Sequence, residues 1–198
     1  STIDAQMSQY EKLKNAYDYM LKNFGLKEKD NLDEEHLQEL SAQQGLQSVY
    51  DMEFAYRAER LIGNFTGTAE DFAAAYALLL RKLGFDAYYV GVEGSENADA
   101  YGYAVLKSNG SYYIFDPASE LAQMERTEAT APDYSFFGIK QTAGQEAYQI
   151  GDILATVTEY KGFEVLPPLN FEVMFSNGSN SVFGEVEYEG SGSSATAK

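Results

Sequence analysis

The amino-acid sequence predicts an α+β fold in which N-terminal helices and one buried central helix pack on an antiparallel sheet. Two observations lead to this prediction. Apolar residues recur at three- and four-residue steps through residues 3–83, as they do in amphipathic helices. From residue 87 the pattern changes to short runs rich in Tyr, Val and Ile, which are typical of strands. Because helices and strands occupy separate parts of the chain, alternating βαβ units are not expected.

Three helices are predicted before the central one. The first covers residues 3–24 and ends at Gly25, a suitable C-terminal stop. The second covers residues 31–45 and carries acidic side chains near its start, where they favour a helix N-terminus. The third covers residues 46–63. The single histidine, His36, is interpreted as an exposed residue of the second helix.

The central helix begins in the stretch GTAEDFAAAY, residues 67–76. Thr68 and Asp71 have the spacing of a capping box, in which the acid binds back to the N-cap backbone. The apolar stripe that follows contains Phe72, Tyr76, Leu79, Leu80 and Leu83, and Gly84 ends the helix. This stripe predicts that the helix is buried.

Three strands follow at residues 87–92, 101–106 and 111–115. The acidic segment 93–100 is expected to be a solvated loop, and the second and third strands are expected to form a hairpin. A four-residue loop would place Tyr101 opposite Asp116, whereas a two-residue turn would place Tyr103 there. In both cases Tyr101, Tyr103, Tyr112 and Asp116 should share one face of the sheet, because a two-residue shift preserves the face.

The domain prediction is one domain over residues 1–189 and a flexible tail over residues 190–198, which are rich in Gly and Ser. The domain has a helical part over residues 1–63, a core region over residues 64–117 and a β-rich part over residues 118–189. One helix or strand is expected within residues 144–160, and an Asn-Gly turn at residues 177–178.

Composition excludes several classes of function. The net charge is −17, which disfavours nucleic-acid binding and favours neutral or basic partners. The chain has no cysteine and one histidine, so thiol catalysis, cysteine-based zinc sites and histidine-based metal sites are not expected. We expect no cofactor and no metal. No apolar run approaches the roughly 20 residues that a transmembrane helix requires.

Three segments, GTAEDFA (67–73), LLLRKLGFDAYYVGV (78–92) and YGYAVLKSNGSYYIFDP (101–117), together resemble the transglutaminase-like superfamily, which has a papain-like core. The resemblance implies a catalytic Cys at the first turn of the helix, a His on the second strand and an acid after the third strand. These positions fall on Ala69, Tyr101 and Asp116. A phenol has a pKa of about 10 and cannot act as a base near neutral pH. The resemblance therefore implies the fold without the family's reaction.

The expected function is a catalytically inactive transglutaminase-like domain that binds or scaffolds a peptide, protein or cell-wall polymer. Its groove would be lined by Glu70 of the helix and by Tyr101, Tyr103 and Tyr112 of the sheet. By resemblance, the protein would lie outside a bacterial cell or on its surface.

Several alternatives remain open. The tyrosines suit a core as well as a groove, Glu70 and Asp71 also complement the helix dipole, and Asp116 also suits a turn. The alternative functions are a papain-like cysteine protease or amide transferase whose nucleophile was lost or mutated, and a purely structural domain of a surface protein.

Overall fold

A computed structural model of the chain describes residues 7–27, 49–92, 101–108 and 111–141, the single positions 35, 38, 39 and 42, and two short strands at 186–188 and 195–197. Four of the predictions lie outside these residues: the role of His36, the acidic loop 93–100, the element within 144–160 and the turn at 177–178. Positions 35, 38, 39 and 42, within the second predicted helix, are helical.

The described residues form four helices, α1 (Gln9–Asn23), α2 (Val49–Asn64), α3 (Ala69–Lys82) and α4 (Pro117–Thr127). Helix α1 begins later than predicted because Ser8 and Glu11 form a capping box, with the Ser8 N–H donating to a Glu11 carboxylate oxygen at 2.7 Å. Helices α2 and α3 lie close to their predicted ranges.

A four-stranded sheet contains β3 (Ala87–Val92), β4 (Tyr101–Ser108), β5 (Ser111–Phe115) and β6 (Phe137–Gln141). The strands lie in the order β3–β4–β5–β6, and all neighbours are antiparallel. Two smaller pairs accompany it: β1 (Gly25–Leu26) runs parallel to β2 (Thr66–Gly67), and β7 (Val186–Tyr188) runs antiparallel to β8 (Ala195–Ala197). The α+β class is confirmed. Strand β8 lies in the segment 190–198, where a flexible tail is predicted.

The β4–β5 hairpin decides between the two predicted registers. Ser108 pairs with Ser111, and Ala104 pairs with Phe115. Only residues 109 and 110 separate the strands, so the two-residue alternative is confirmed and the four-residue alternative is wrong. Continuing the register by one position sets Tyr103, not Tyr101, across from Asp116.

Helix α3 is the centre of the fold, as predicted. It packs on β3 and β4 and also contacts α1, α2 and α4. Two tyrosine hydroxyls tie α1 to this centre: Tyr76 of α3 donates to the Leu13 carbonyl at 3.0 Å, and Tyr17 of α1 donates to the Asp116 carbonyl at 3.1 Å. Helix α1 therefore belongs to the same core as α3.

Helix α4 lies within residues 118–189, the part of the chain predicted to be β-rich, and was not predicted as a separate element. Asp116 is its N-cap and Pro117 occupies its first turn, a position that suits proline because no intrahelical N–H is needed there. Glu120 fixes the segment that follows the helix, accepting from the Tyr134 N–H at 2.9 Å and from the Phe136 N–H at 3.0 Å.

Candidate functional site

The first turn of α3 is the place where the sequence predicts a relic active site. Helix α3 starts at Ala69, and the Thr68 N–H donates to Asp71 Oδ2 at 2.9 Å, which confirms that Asp71 binds back to the N-cap backbone. The Ala69 side chain is a half-buried methyl group that packs against the core. This position therefore supplies no nucleophile, and Asp71 already occupies part of the helix N-terminus.

A buried ion network surrounds this turn. Asp71 is fully buried, and its Oδ2 atom accepts from Arg60 Nη2 at 2.6 Å and from Arg60 Nε at 2.9 Å. Arg57, also buried, lies 3.6 Å from Asp71 Oδ1 and 3.3 Å from Glu70 Oε1. Glu70 was predicted to contact a ligand, but it is 8% exposed and paired with Arg57.

The network continues to the sheet through Glu53 of α2. Glu53 Oε1 accepts from Arg57 Nε and from the Tyr89 hydroxyl, at 2.7 Å and 2.6 Å. Burial, together with the neighbouring Glu53 carboxylate, holds the pKa of Tyr89 well above its ordinary value. Burial alone would lower the pKa of Arg57. The interactions with Tyr89, Glu53 and Glu70 outweigh burial, so the pKa of Arg57 is raised above its ordinary value. These carboxylates are therefore held by cations, as in a structural ion network.

Gly102 of β4 lies directly against this turn. A Cβ atom at Gly102 would come within 2.7 Å of Glu70 Cα and 3.3 Å of Ala73 Cβ. Successive side chains of a strand point to opposite faces, so Gly102 and Ala104 face α3, while Tyr101 and Tyr103 face away. The core agrees: Ala104 clusters with residues of α3, whereas Tyr103 belongs to a separate cluster.

The predicted groove beside Ala69 is therefore wrong, because the sheet separates Ala69 from Tyr101, Tyr103 and Tyr112. These three tyrosines do share one face, as predicted, and their cluster lies on the far side of the sheet. Tyr101 stacks on Tyr103, with ring centroids 6.0 Å apart. Tyr103 is fully buried, so it forms part of a core layer.

Asp116 belongs to neither group. Its Oδ1 atom accepts from the Ser119 N–H at 3.0 Å and its Oδ2 atom from the Ser119 hydroxyl at 2.7 Å. Both oxygens cap helix α4, so the local structural interpretation of Asp116 fits better than a relic triad acid.

Sequence reasoning missed Gly102, Arg57 and Arg60. A glycine inside a strand often marks a close approach of another backbone, and Gly102 is such a case. Two arginines three residues apart on a helix share a face, which is the signal that could have indicated a partner of opposite charge.

The described part of the chain contains no group of three or more His, Cys, Asp or Glu side chains arranged to hold a metal ion. Among the same residues, every helix is too short or too polar to cross a membrane.

No model of a known protein family matches the chain, and no curated protein sequence matches it significantly.

Proposed function

We propose that the chain is a non-catalytic transglutaminase-like domain with a papain-like core, which binds or scaffolds a peptide, protein or cell-wall-type ligand at the bacterial cell surface. The proposal is supported by the order of the elements, in which a buried helix precedes an antiparallel sheet at the spacing of the resemblance. The localisation follows from the resemblance alone.

One observation carries the non-catalytic part of the proposal: the sheet lies between Ala69 and Tyr101. A nucleophile and its base must be within about 2.6–3.2 Å of each other to transfer a proton. Gly102, not Tyr101, faces the first turn of α3, and it does so with no room for a larger side chain. A base at position 101 would therefore lie on the face of the sheet opposite position 69 and could not reach it.

A purely structural domain is the second candidate. It is favoured by the close contact of Gly102 with Glu70, which leaves no space for a groove between β4 and the first turn of α3 at this point. In that case the domain would have no ligand of its own, and a search for binding partners would fail.

The experiment that tests the proposal compares Ala69→Cys with the double variant Ala69→Cys/Tyr101→His. The readouts are the pH dependence of alkylation by iodoacetamide and the hydrolysis of peptide amides. We expect the two variants to have the same thiol pKa, since the imidazole would lie across the sheet. Ala55→Cys, in the middle of α2, serves as the reference thiol away from any helix end.

A Tyr101→His substitution that lowers the thiol pKa, or that produces amide hydrolysis, would overturn the proposal. Circular dichroism of both variants checks that the fold is kept.

A further inference from the structure

An aromatic patch, formed by Tyr19, Phe24 and Phe65, lies where the end of α1 meets the end of α2. The Phe65 ring stacks on the Phe24 ring with centroids 6.0 Å apart, and the Tyr19 ring packs edge-on against Phe24 at 5.9 Å. Phe24 is buried and also contacts Phe72 of the central helix, whereas Tyr19 is 46% and Phe65 61% exposed. A rigid core residue therefore holds two exposed aromatic rings.

The backbone of Phe65 makes this exposure unusual. Its φ is 58°, in the left-handed region, where a Cβ atom is unfavourable and where glycine or asparagine normally ends a helix. The turn itself is needed, since the Phe65 N–H donates to the Leu61 carbonyl and the Phe65 carbonyl accepts from the Gly25 N–H, both at 2.9 Å. Glycine would form the same two bonds without the steric cost. A large exposed ring on this strained backbone is better explained by contact with a ligand than by stability.

A polar cavity of about 260 Å³ adjoins the patch and shares Tyr19 with it. The rest of its lining comes from the same end of α1: Asn15, Asp18, Lys22 and Asn23. One carboxylate and one ammonium group are present, so the lining has no net charge. The cavity is too small and too polar for the apolar ridge of a helix, and it suits a small polar molecule.

Three side chains of this lining have groups available to a ligand. Among the described residues, Lys22 Nζ and the Tyr19 hydroxyl form no hydrogen bond or ion pair. The Asn23 amide donates to the Tyr19 carbonyl at 2.8 Å, which fixes its position and leaves its Oδ1 atom as an acceptor. Asp18 and Asn15 are not counted, because their side chains already form hydrogen bonds. The cavity therefore offers both donors and an acceptor beside the exposed rings.

We propose that the aromatic patch and the adjoining cavity bind a neutral saccharide whose hydroxyl groups are equatorial. Such a sugar presents C–H groups on its faces, which stack on aromatic rings, and hydroxyl groups at its edge, which suit the ammonium, amide and phenol groups. The net charge of −17 opposes an anionic ligand, and a lining without net charge does not select a cation. This inference rests on the proposed binding function and narrows its ligand to a sugar.

The test measures binding by isothermal titration calorimetry with two soluble probes, cellotetraose and chitotetraose. Tetra-alanine is the control ligand for a peptide. Saturation-transfer NMR on the same mixtures shows which sugar protons lie against the protein.

Three variants alter the site, and each is compared with a control. Tyr19→Ala removes one ring, and Phe65→Gly removes the other and relieves the left-handed backbone. Their control is Ile62→Ser, which removes another exposed hydrophobic side chain, in the groove between α2 and α3. Lys22→Gln removes the ammonium donor. Its control is Lys82→Gln, since Lys82 is also an exposed lysine in the last turn of a helix.

We expect at least one tetrasaccharide to bind through its ring C–H protons and tetra-alanine not to bind. Tyr19→Ala and Phe65→Gly should each weaken binding about tenfold or more. Phe65→Gly should leave the Tm unchanged or raise it, because the relieved backbone strain offsets the lost ring contact. Lys22→Gln should weaken binding about threefold to tenfold. Ile62→Ser and Lys82→Gln should leave the affinity within about twofold.

Four results would overturn the inference: no binding of either tetrasaccharide at about 10 mM, equal weakening by Ile62→Ser and Tyr19→Ala, tighter binding of tetra-alanine, or a large fall in the Tm of Phe65→Gly. Tighter binding of tetra-alanine would make this a peptide site, and the fall in Tm would give Phe65 a structural role. Failure here with unchanged thiol chemistry at position 69 removes only the saccharide site. An activated thiol at position 69 removes the proposed function, whatever the sugars do.

Discussion

Gly102 of β4 lies against Glu70 of α3, so closely that a Cβ at position 102 would approach within 2.7 Å of Glu70 Cα. The contact joins two backbones, which cannot move apart as a flexible side chain can. Gly102→Ala should therefore lower the free energy of unfolding by about 1–3 kcal/mol, as overpacking typically does. Urea denaturation followed by circular dichroism measures the change.

Gly63 of α2 provides the matched control for this substitution. A Cβ there would meet nothing within 4 Å. Because alanine favours a helix more than glycine does, Gly63→Ala should be neutral or stabilise by up to about 1 kcal/mol. Equal effects of the two substitutions would contradict the close packing of β4 on α3.

Asp71 is the buried acid that holds two arginines. Asp71→Asn would leave Arg60 and Arg57 with less negative charge in a buried place, and we expect a loss of about 3–5 kcal/mol in the free energy of unfolding. Glu125→Gln, at an exposed position, should change it by less than about 0.5 kcal/mol. The same denaturation measurement tests both, and a small effect of Asp71→Asn would show that the network contributes little to stability.

Among the residues that the structure describes, β3 is an edge strand of the four-stranded sheet, and Tyr50 covers this edge. Its hydroxyl accepts from the Tyr89 N–H and donates to the Tyr89 carbonyl, both at 3.0 Å. Tyr50→Phe would leave two backbone groups of an edge strand without these bonds, at a cost of about 1–3 kcal/mol. It should also promote association through the opened edge.

Differential scanning calorimetry and light scattering measure the two effects of Tyr50→Phe. Tyr88→Phe is the control, since it keeps the ring against which Arg81 lies. Association of both variants to the same extent would argue against the role of Tyr50 at the edge.

Glu120 makes stability depend on pH. Burial and the nearby Asp133 raise its pKa from 4.5 to about 7, against the lowering effect of the Phe136 and Tyr134 N–H groups. The folded state therefore binds this proton more tightly than the unfolded state does. The stabilisation is complete below pH 4.5 and is lost as the pH rises through about 7, with a span of at most on the order of 3 kcal/mol.

Glu120→Gln cannot titrate, so the stability difference between wild type and variant should change between pH 4.5 and pH 7. Urea denaturation at several pH values within this window measures it. A difference that stays constant with pH would contradict the role of Glu120.

Local patterns predicted most of the elements that position the site. The apolar stripe after Thr68 defines α3, and the runs of Tyr and Val define β3, β4 and β5. The alternation of side chains along β4 also placed Tyr101 and Tyr103 on one face. The pattern could not predict which face of β4 lies against α3, because a strand that is buried on both sides carries apolar residues on both faces.

The resemblance assigns Asp116 the position of a catalytic acid, whereas the structure shows its side chain capping α4. The pair Asp116–Pro117 followed by Glu120 is a signal for a helix N-terminus, and α4 begins there. The ion network could not be predicted from local sequence either, because Arg57 and Asp71 meet only when α2 and α3 pack together.

The hydroxyls of Tyr17 and Tyr76 join α1 to the rest of the core. They bind carbonyls across α1, α3 and the start of α4, and Leu13, Tyr17 and Met20 are completely shielded from solvent. A shortened chain that started at α2 would expose one flank of the central helix and would lose the Tyr17 hydrogen bond to the Asp116 carbonyl, which would keep its bond from the Glu120 N–H. Helix α1 is therefore needed to cover the central helix, although the candidate site lies in the later residues.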